Sequence, residues 1–324
     1  MSVLEIRDLS VTYNPSGVAV PAVRGVSLSV DAGESVGIAG ESGCGKSTVG
    51  STILRLQPRS AAVGGTVLLS GKNVQTMRPG ELRAVRWAQA SIVFQGALHS
   101  LDPVRRLGDQ IAEPLLLHGL EPRRRDARRR VGELLERVGL PASRAAAYPH
   151  QLSGGQRQRV MIAMAMACRP QLIIADEPTT ALDVMVQAQV LKVLSELVRE
   201  FDLALVMISH DLAVLTTICD RIAVMYAGRI IEEGRAADLF DTPRHPYSAA
   251  LAAAFPRIGD PAARFAPGGL RGDPPDPSQL PDGCTFHPRC LVAVPNCATT
   301  DPTLDLLTSE DRLVACILAQ ESVG

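Results

Sequence analysis

The sequence predicts an α/β protein: a parallel-sheet core opened by a glycine-rich loop, an antiparallel β subdomain, an inserted α-helical subdomain and a cysteine-containing C-terminal extension. Three observations carry this prediction. Ser35 to Ala39 is a compact β-prone run that leads straight into Gly40-Glu41-Ser42-Gly43-Cys44-Gly45-Lys46-Ser47 and then into the helix-prone STVGSTILRL. Leu172 to Ala175 and Leu205 to Ile208 are short buried-type strands separated by the helical run VMVQAQVLKVLSELVRE, which is βαβ logic and implies a parallel sheet. From about Gly96 to Cys168 the pattern turns helical, with Val131, Leu134, Leu135 and Val138 spaced for one apolar face.

The remaining elements follow in order. Val3 to Ile6, Val26 to Val30 and Val67 to Leu69 alternate as short antiparallel strands of a side sheet. The expected organisation is a core over residues 1–95 and 169–240 that includes this side sheet, a helical subdomain over 96–168 and a C-terminal extension over 241–324. Many Pro and Gly residues in 260–288 read as a linker or irregular segment.

The stretch from Gly40 to Ser47 fits G-x-x-x-x-G-K-[ST], and its place between a strand and a helix makes it a phosphate-binding loop. Glycines let backbone N–H groups and the helix N-terminus close around phosphates, Lys46 reaches the β/γ oxygens, and Ser47 offers its hydroxyl to magnesium. Thr48 continues the same site into the helix. Downstream, LIIADE sets Asp176 and Glu177 at the end of an apolar strand. One carboxylate there can hold Mg2+ through water while the other activates an attacking water. Leu152-Ser153-Gly154-Gly155-Gln156 places a serine and two glycines at the mouth of a second helix, again an anion-binding arrangement.

That second site carries a specific resemblance: LSGGQ is similar to the signature of ATP-binding cassette (ABC) ATPases, which are P-loop NTPases with a RecA-like core. Other positions match the family one by one. Tyr13 resembles the aromatic that stacks on adenine, Gln95 in VFQ the Q-loop glutamine, Asp183 in TALD the D-loop aspartate, and His210 in ISHD the switch histidine. The resemblance implies that two such subunits sandwich two ATP molecules, each between one chain's phosphate loop and the other's signature. Glu177 is then the general base, His210 contacts the γ-phosphate, Gln95 joins Ser47 and Asp176 around magnesium, and Ser153 to Gln156 act in trans. The motif set occurs once, so a second cassette is expected.

YPHQLSGGQRQRVMIAMAMACRPQLIIADEPTTALDVMVQAQV closely resembles the ATPases of oligopeptide and dipeptide importers, a group that includes nickel importers. LFDTPRHPYSAALAAAFP at 239–256, GCTFHPRCLVAVPNC at 283–297 and VACIL at 314–318 look like that group's C-terminal region. The implied partners are a second ATPase subunit, in a homodimer or more often a heterodimer, two transmembrane permease subunits and an extracytoplasmic substrate-binding protein. The implied location is the cytoplasmic face of the membrane. The segment after Gln95, FQGALHSLDP and GDQIAEP, is where the family receives a permease helix. A nickel or other small-solute importer, and a soluble ABC ATPase outside transport, share the same core motifs.

Four of the seven cysteines, Cys284, Cys290, Cys297 and Cys316, crowd into the last 41 residues. Their C-x5-C-x6-C-x18-C spacing matches positions that bind a 4Fe-4S cluster in some members of the group, and tetrahedral zinc suits the same thiolates. His287 between the first two is a further possible ligand, read instead as a surface or hydrogen-bonding histidine. Cys44 contributes backbone to the phosphate loop, and its thiol is a candidate for alkylation.

The 324 residues are 46% hydrophobic and 21% charged with a net charge of -1, which suits a folded protein with a large core. Such a balance supplies no long-range field for nucleic acid, and the Arg123 to Arg130 run, with few aromatics, reads as a solvated helix face. No nucleic-acid partner is expected. Glu5, Arg7 and Asp8 interrupt the start, so no export signal is read and a cytoplasmic protein is expected. No window approaches the roughly 20 apolar residues of a membrane span, so a membrane role works through partners.

Overall fold

The computed structural model describes residues 2–14, 17–96, 100–121, 123–254, 269–307 and 311–321. Ala97, Leu98 and His99 of the segment after Gln95, Phe255 and Pro256 of the 239–256 run, and residues 260–268 of the expected linker lie outside the described residues. The chain divides into two compact units, one formed by Met1–Leu4, Val30–Glu34 and Leu69–Val206, the other by Glu5–Ser29, Ser35–Leu68 and Met207–Gly324.

In the first unit, strands Ala90–Val93 and Leu172–Asp176 pair in parallel, with Ala90 opposite Leu172 and Val93 opposite Ala175. Every residue of Leu172–Asp176 is buried, the continuous apolar signature of a sheet covered on both faces. Helix Val184–Phe201 buries Val190, Leu191, Leu194, Leu197 and Val198, one stripe at helical spacing. Its N-terminus is capped by the Asp183 carboxylate, which accepts from Val186 N at 3.0 Å. Helices Leu107–Leu117, Arg124–Arg137 and Gly154–Ala165 fill the expected helical stretch. Arg124–Arg137 buries Ala127, Val131, Leu134 and Leu135 and leaves most of its arginines in solvent.

Strands Val20–Asp31, Ser2–Tyr13 and Ala62–Leu69, most of whose residues belong to the second unit, lie side by side in that order. Ser2–Tyr13 is longer than its alternation suggests: Leu4 and Ile6 are buried, the pattern slips at Asp8, whose φ is +49°, and then Leu9 and Val11 are buried. Strand Ser35–Ala39, wholly buried, pairs in parallel with Arg221–Tyr226, and Arg229–Arg235 follows antiparallel. The C-terminal extension joins this sheet: Arg312–Val314 pairs antiparallel with Arg229–Arg235, and Asp305–Leu307 pairs with Arg312–Val314. The Glu232 carboxylate, fully buried, accepts from the N–H groups of Arg244 and His245 at 2.8 and 2.9 Å and from Arg312 at 3.4 Å. A buried charge needs such partners to be tolerated. Among the described residues no helix is long and apolar enough to cross a membrane.

Candidate active site

The phosphate loop is shaped by glycines in backbone conformations that side chains resist. Gly40, Gly43 and Gly45 have φ of +149°, +82° and +106°. A Cβ on Gly40 would strike the Met225 carbonyl, and one on Gly45 the Ala22 carbonyl. Gly45 caps helix Lys46–Ile53 without a side-chain hydrogen bond, and a helix N-terminus at the end of a glycine loop suits an anion. Lys46, 4% exposed, donates from Nζ to the carbonyls of Gly40 and Glu41 at 2.7 and 2.8 Å. Ser47 and Thr48 follow in the first turn, and Tyr13, half-buried, has its hydroxyl 3.5 Å from Thr48 Oγ1. Cys44 is buried, and burial pushes its thiol up despite the pull of Lys46, which disfavours the thiolate that an alkylating agent needs.

His210 is exposed at the end of strand Ala204–Ser209. Its position is set by neighbours: Ser209 Oγ accepts from Asp211 N at 3.0 Å, and Asp211 in turn caps the next helix by accepting from Val214 N at 3.1 Å.

In the first unit, strand Leu172–Asp176 delivers the two carboxylates. Asp176 is buried, while Glu177 is half-buried with φ of +43°, a conformation uncommon for a non-glycine residue. Glu177 Oε2 accepts from Gln95 Nε2 and from Thr180 Oγ1, each at 2.8 Å. The structure thus brings Gln95 and Glu177 together and adds Thr180, which the sequence reading did not single out. The signature forms a reciprocal capping box: Gln156 N donates to Ser153 Oγ at 3.4 Å and Ser153 N to Gln156 Oε1 at 3.1 Å. Ser153 and Gly154 are exposed. Gly155 is buried against the next helix, and a Cβ there would collide with Val186, so the position requires glycine.

The four tail cysteines gather in the second unit. Cys284 N donates to the Cys297 carbonyl at 2.9 Å, and turn His287–Arg289 lies between Cys284 and Cys290. Burial raises the Cys284 and Cys290 thiols above the usual range, and the other tail thiols add to the rise. The expected ligand cage is not formed: among the described residues no group of three or more His, Cys, Asp or Glu side chains is arranged to hold a metal ion. His287 Nδ1 lies 2.9 Å from the Cys284 carbonyl, which is a hydrogen-bonding role.

A lysine buried in a glycine loop at a helix start, and a carboxylate pair at the end of a buried parallel strand, are the parts of a nucleotide-hydrolysing α/β protein. The profile of the ABC transporter family matches residues 23–180, and that of the oligopeptide/dipeptide transporter C-terminal region matches 231–297. The oligopeptide transport ATP-binding protein OppD of Salmonella typhimurium is 43% identical over 323 residues, covering 99% of this chain and 95% of that protein. The dipeptide transport ATP-binding protein DppD of Bacillus subtilis is 40% identical over 323 residues, covering 98% and 95%. The dimeric structure of MJ0796, a bacterial ABC transporter cassette, superposes with a TM-score of 0.65 at 30% identity, covering 72% of this chain and 98% of that one. A post-hydrolysis dimer of MJ0796 bound to ADP and Pi gives 0.64. The chain belongs to the ATP-hydrolysing, ATP-binding subunits of ABC transporters, in the oligopeptide/dipeptide transporter family.

Proposed function

We propose that this chain powers import of oligopeptides or dipeptides, with Glu177 as the general base of ATP hydrolysis. The observation that carries the base assignment is the fixed Glu177 carboxylate, held at Oε2 by Gln95 and Thr180. A base whose position is preset loses little in orientation when it accepts the proton of the attacking water. Lys46 and the loop amides from Gly40 to Thr48 bind the phosphates, Tyr13 stacks on adenine, and His210 donates to the γ-phosphate. Ser47, Gln95 and Asp176 suit magnesium, a hard cation that takes oxygen donors and supplies charge neutralisation at the phosphates. Ser153 to Gln156, with Asp183, serve the nucleotide of a second ATPase subunit, most simply in a heterodimer.

Two transmembrane permease subunits and an extracytoplasmic binding protein complete the assembly, which places the chain on the cytoplasmic face of the membrane. A cleft of about 410 Å³ where Ala112, Leu116 and Leu117 meet Arg105, Asp109, Glu113 and Arg128, with Leu117 75% exposed, supports the permease contact, since it offers an incoming helix apolar surface flanked by charges. The organisation that goes with this is a nucleotide core over 1–95 and 169–240, a helical subdomain over 96–168 and an extension over 241–324. Cys284, Cys290, Cys297 and Cys316 take up a 4Fe-4S cluster, with zinc as the second reading. The C-x5-C-x6-C-x18-C spacing supports this reading, and iron, sulfide and zinc analysis of anaerobically purified protein decides between the two. The transport reading is tested in proteoliposomes holding the chain with its permease subunits: uptake of labelled peptide must require ATP and the binding protein. Nickel uptake without peptide uptake contradicts the substrate assignment.

A further inference from the structure

Glu41, the second residue of the phosphate loop, places a carboxylate in a segment built to collect anions. It is held at three points within the second unit. Its carboxylate forms a two-pronged pair with Arg289, Nη1 to Oε2 at 2.7 Å and Nη2 to Oε1 at 3.0 Å, with the Arg289 side chain only 8% exposed. Its N–H donates to the Tyr247 hydroxyl at 2.8 Å, and its carbonyl accepts from Lys46 Nζ at 2.8 Å. Two of the three partners belong to the C-terminal region, outside the stretch shared with ABC cassettes in general.

Those partners are themselves fixed. Arg289 closes the turn between Cys284 and Cys290 and also donates to the carbonyls of Arg271 and Gly272 at 2.8 and 3.0 Å. Its guanidinium lies 5.8 Å from the centre of the Tyr226 ring. Tyr247 is fully buried, packs against Tyr226 and Phe286, and donates its N–H to His245 Nδ1 at 3.0 Å. Planar guanidinium–carboxylate pairs fix orientation as well as charge.

We propose that Arg289 is a positioning residue for ATP: it neutralises Glu41 and draws that carboxylate aside, so that the loop amides and Lys46 meet the phosphates without an opposing charge. Tyr247 holds the main chain of the same residue. Because Lys46 shares the Glu41 carbonyl, a displaced Glu41 also displaces the ammonium that meets the nucleotide. The C-terminal region is on this account a working part of the ATP site. The inference rests on the reading of residues 40–48 as the ATP loop.

The test uses the assembled transporter and measures KM for MgATP, kcat and the Kd of a fluorescent ATP analogue. Arg289→Gln is expected to raise KM and Kd by about tenfold, with a smaller change in kcat, a span usual for coupling between neighbouring sites. Arg289→Lys keeps the charge and retains part of the affinity. Adding Glu41→Gln to Arg289→Gln recovers most of the loss, because the uncompensated charge is gone; a merely structural role predicts no such recovery. Unchanged KM in Arg289→Gln, or a double variant as weak as the single, overturns the proposal. Lys46→Ala separates the two levels. If it still binds ATP, the nucleotide reading fails and this inference with it; if it loses ATP while Arg289→Gln does not, only this inference fails.

Discussion

The two glycine-rich helix entrances of this chain look alike in sequence and are built differently. At residues 40–48 the glycines take positive φ, the helix start has no side-chain cap, and a buried lysine lies along the loop. At 153–156 the helix start is already capped by Ser153 and Gln156, its serine and first glycine are exposed, and Gly155 is needed for close packing on Val186. In the first, glycine serves backbone conformation, as the proposed binding of phosphates there requires. In the second, exposed at Ser153 and Gly154, glycine serves contact with the neighbouring helix. On the proposed reading this outward-facing entrance meets a nucleotide held by another subunit.

Breaking the first entrance has the largest expected effect. Lys46→Ala should weaken ATP binding on the order of a hundredfold, as loss of a desolvated charge does, while the circular dichroism spectrum stays native. Acid should loosen the support of that entrance next. His245 is buried and held down to about 3 from 6.5, chiefly by burial, with its Nδ1 accepting from Tyr247 N. The unfolded chain therefore takes up a proton that the folded chain refuses. The contribution of His245 to stability is complete above about pH 6.5 and is lost as pH falls toward 3, by at most about 1.4 kcal/mol per pH unit. Denaturant melts between pH 7 and 5 check this, and His245→Gln should flatten the profile.

At the second entrance, Gly155→Ala should cost about 1–3 kcal/mol through overpacking, and Val186→Ala on the same background should return part of it. Ser153→Ala should cost about 1 kcal/mol as a lost cap, measured by thermal melting. If Gly155→Ala is harmless to stability, packing is not the reason for glycine there and the contrast fails.

What could be read from the sequence was what sits close together in it. The phosphate loop, the buried strand before Asp176 and the apolar stripe of Arg124–Arg137 are each contained in one short window, where periodicity reports burial directly. Ser2–Tyr13 looked like a four-residue strand because the slip at Asp8 breaks the alternation. The three-residue strands Asp305–Leu307 and Arg312–Val314 are too short to carry a period, so the extension's place in the sheet was invisible. Arg289 and Glu41 stand 248 positions apart, and only the fold brings them into contact.

The most direct measurement is a paired determination of ATP affinity and turnover in the assembled transporter carrying Glu177→Gln. The substitution spares the phosphate loop and removes the proton acceptor held by Gln95 and Thr180. ATP affinity within a few-fold of the unaltered chain, with turnover lowered by about 10²–10⁴-fold, is the predicted result. Turnover that stays at the unaltered rate would show that Glu177 is not the base and contradict the account.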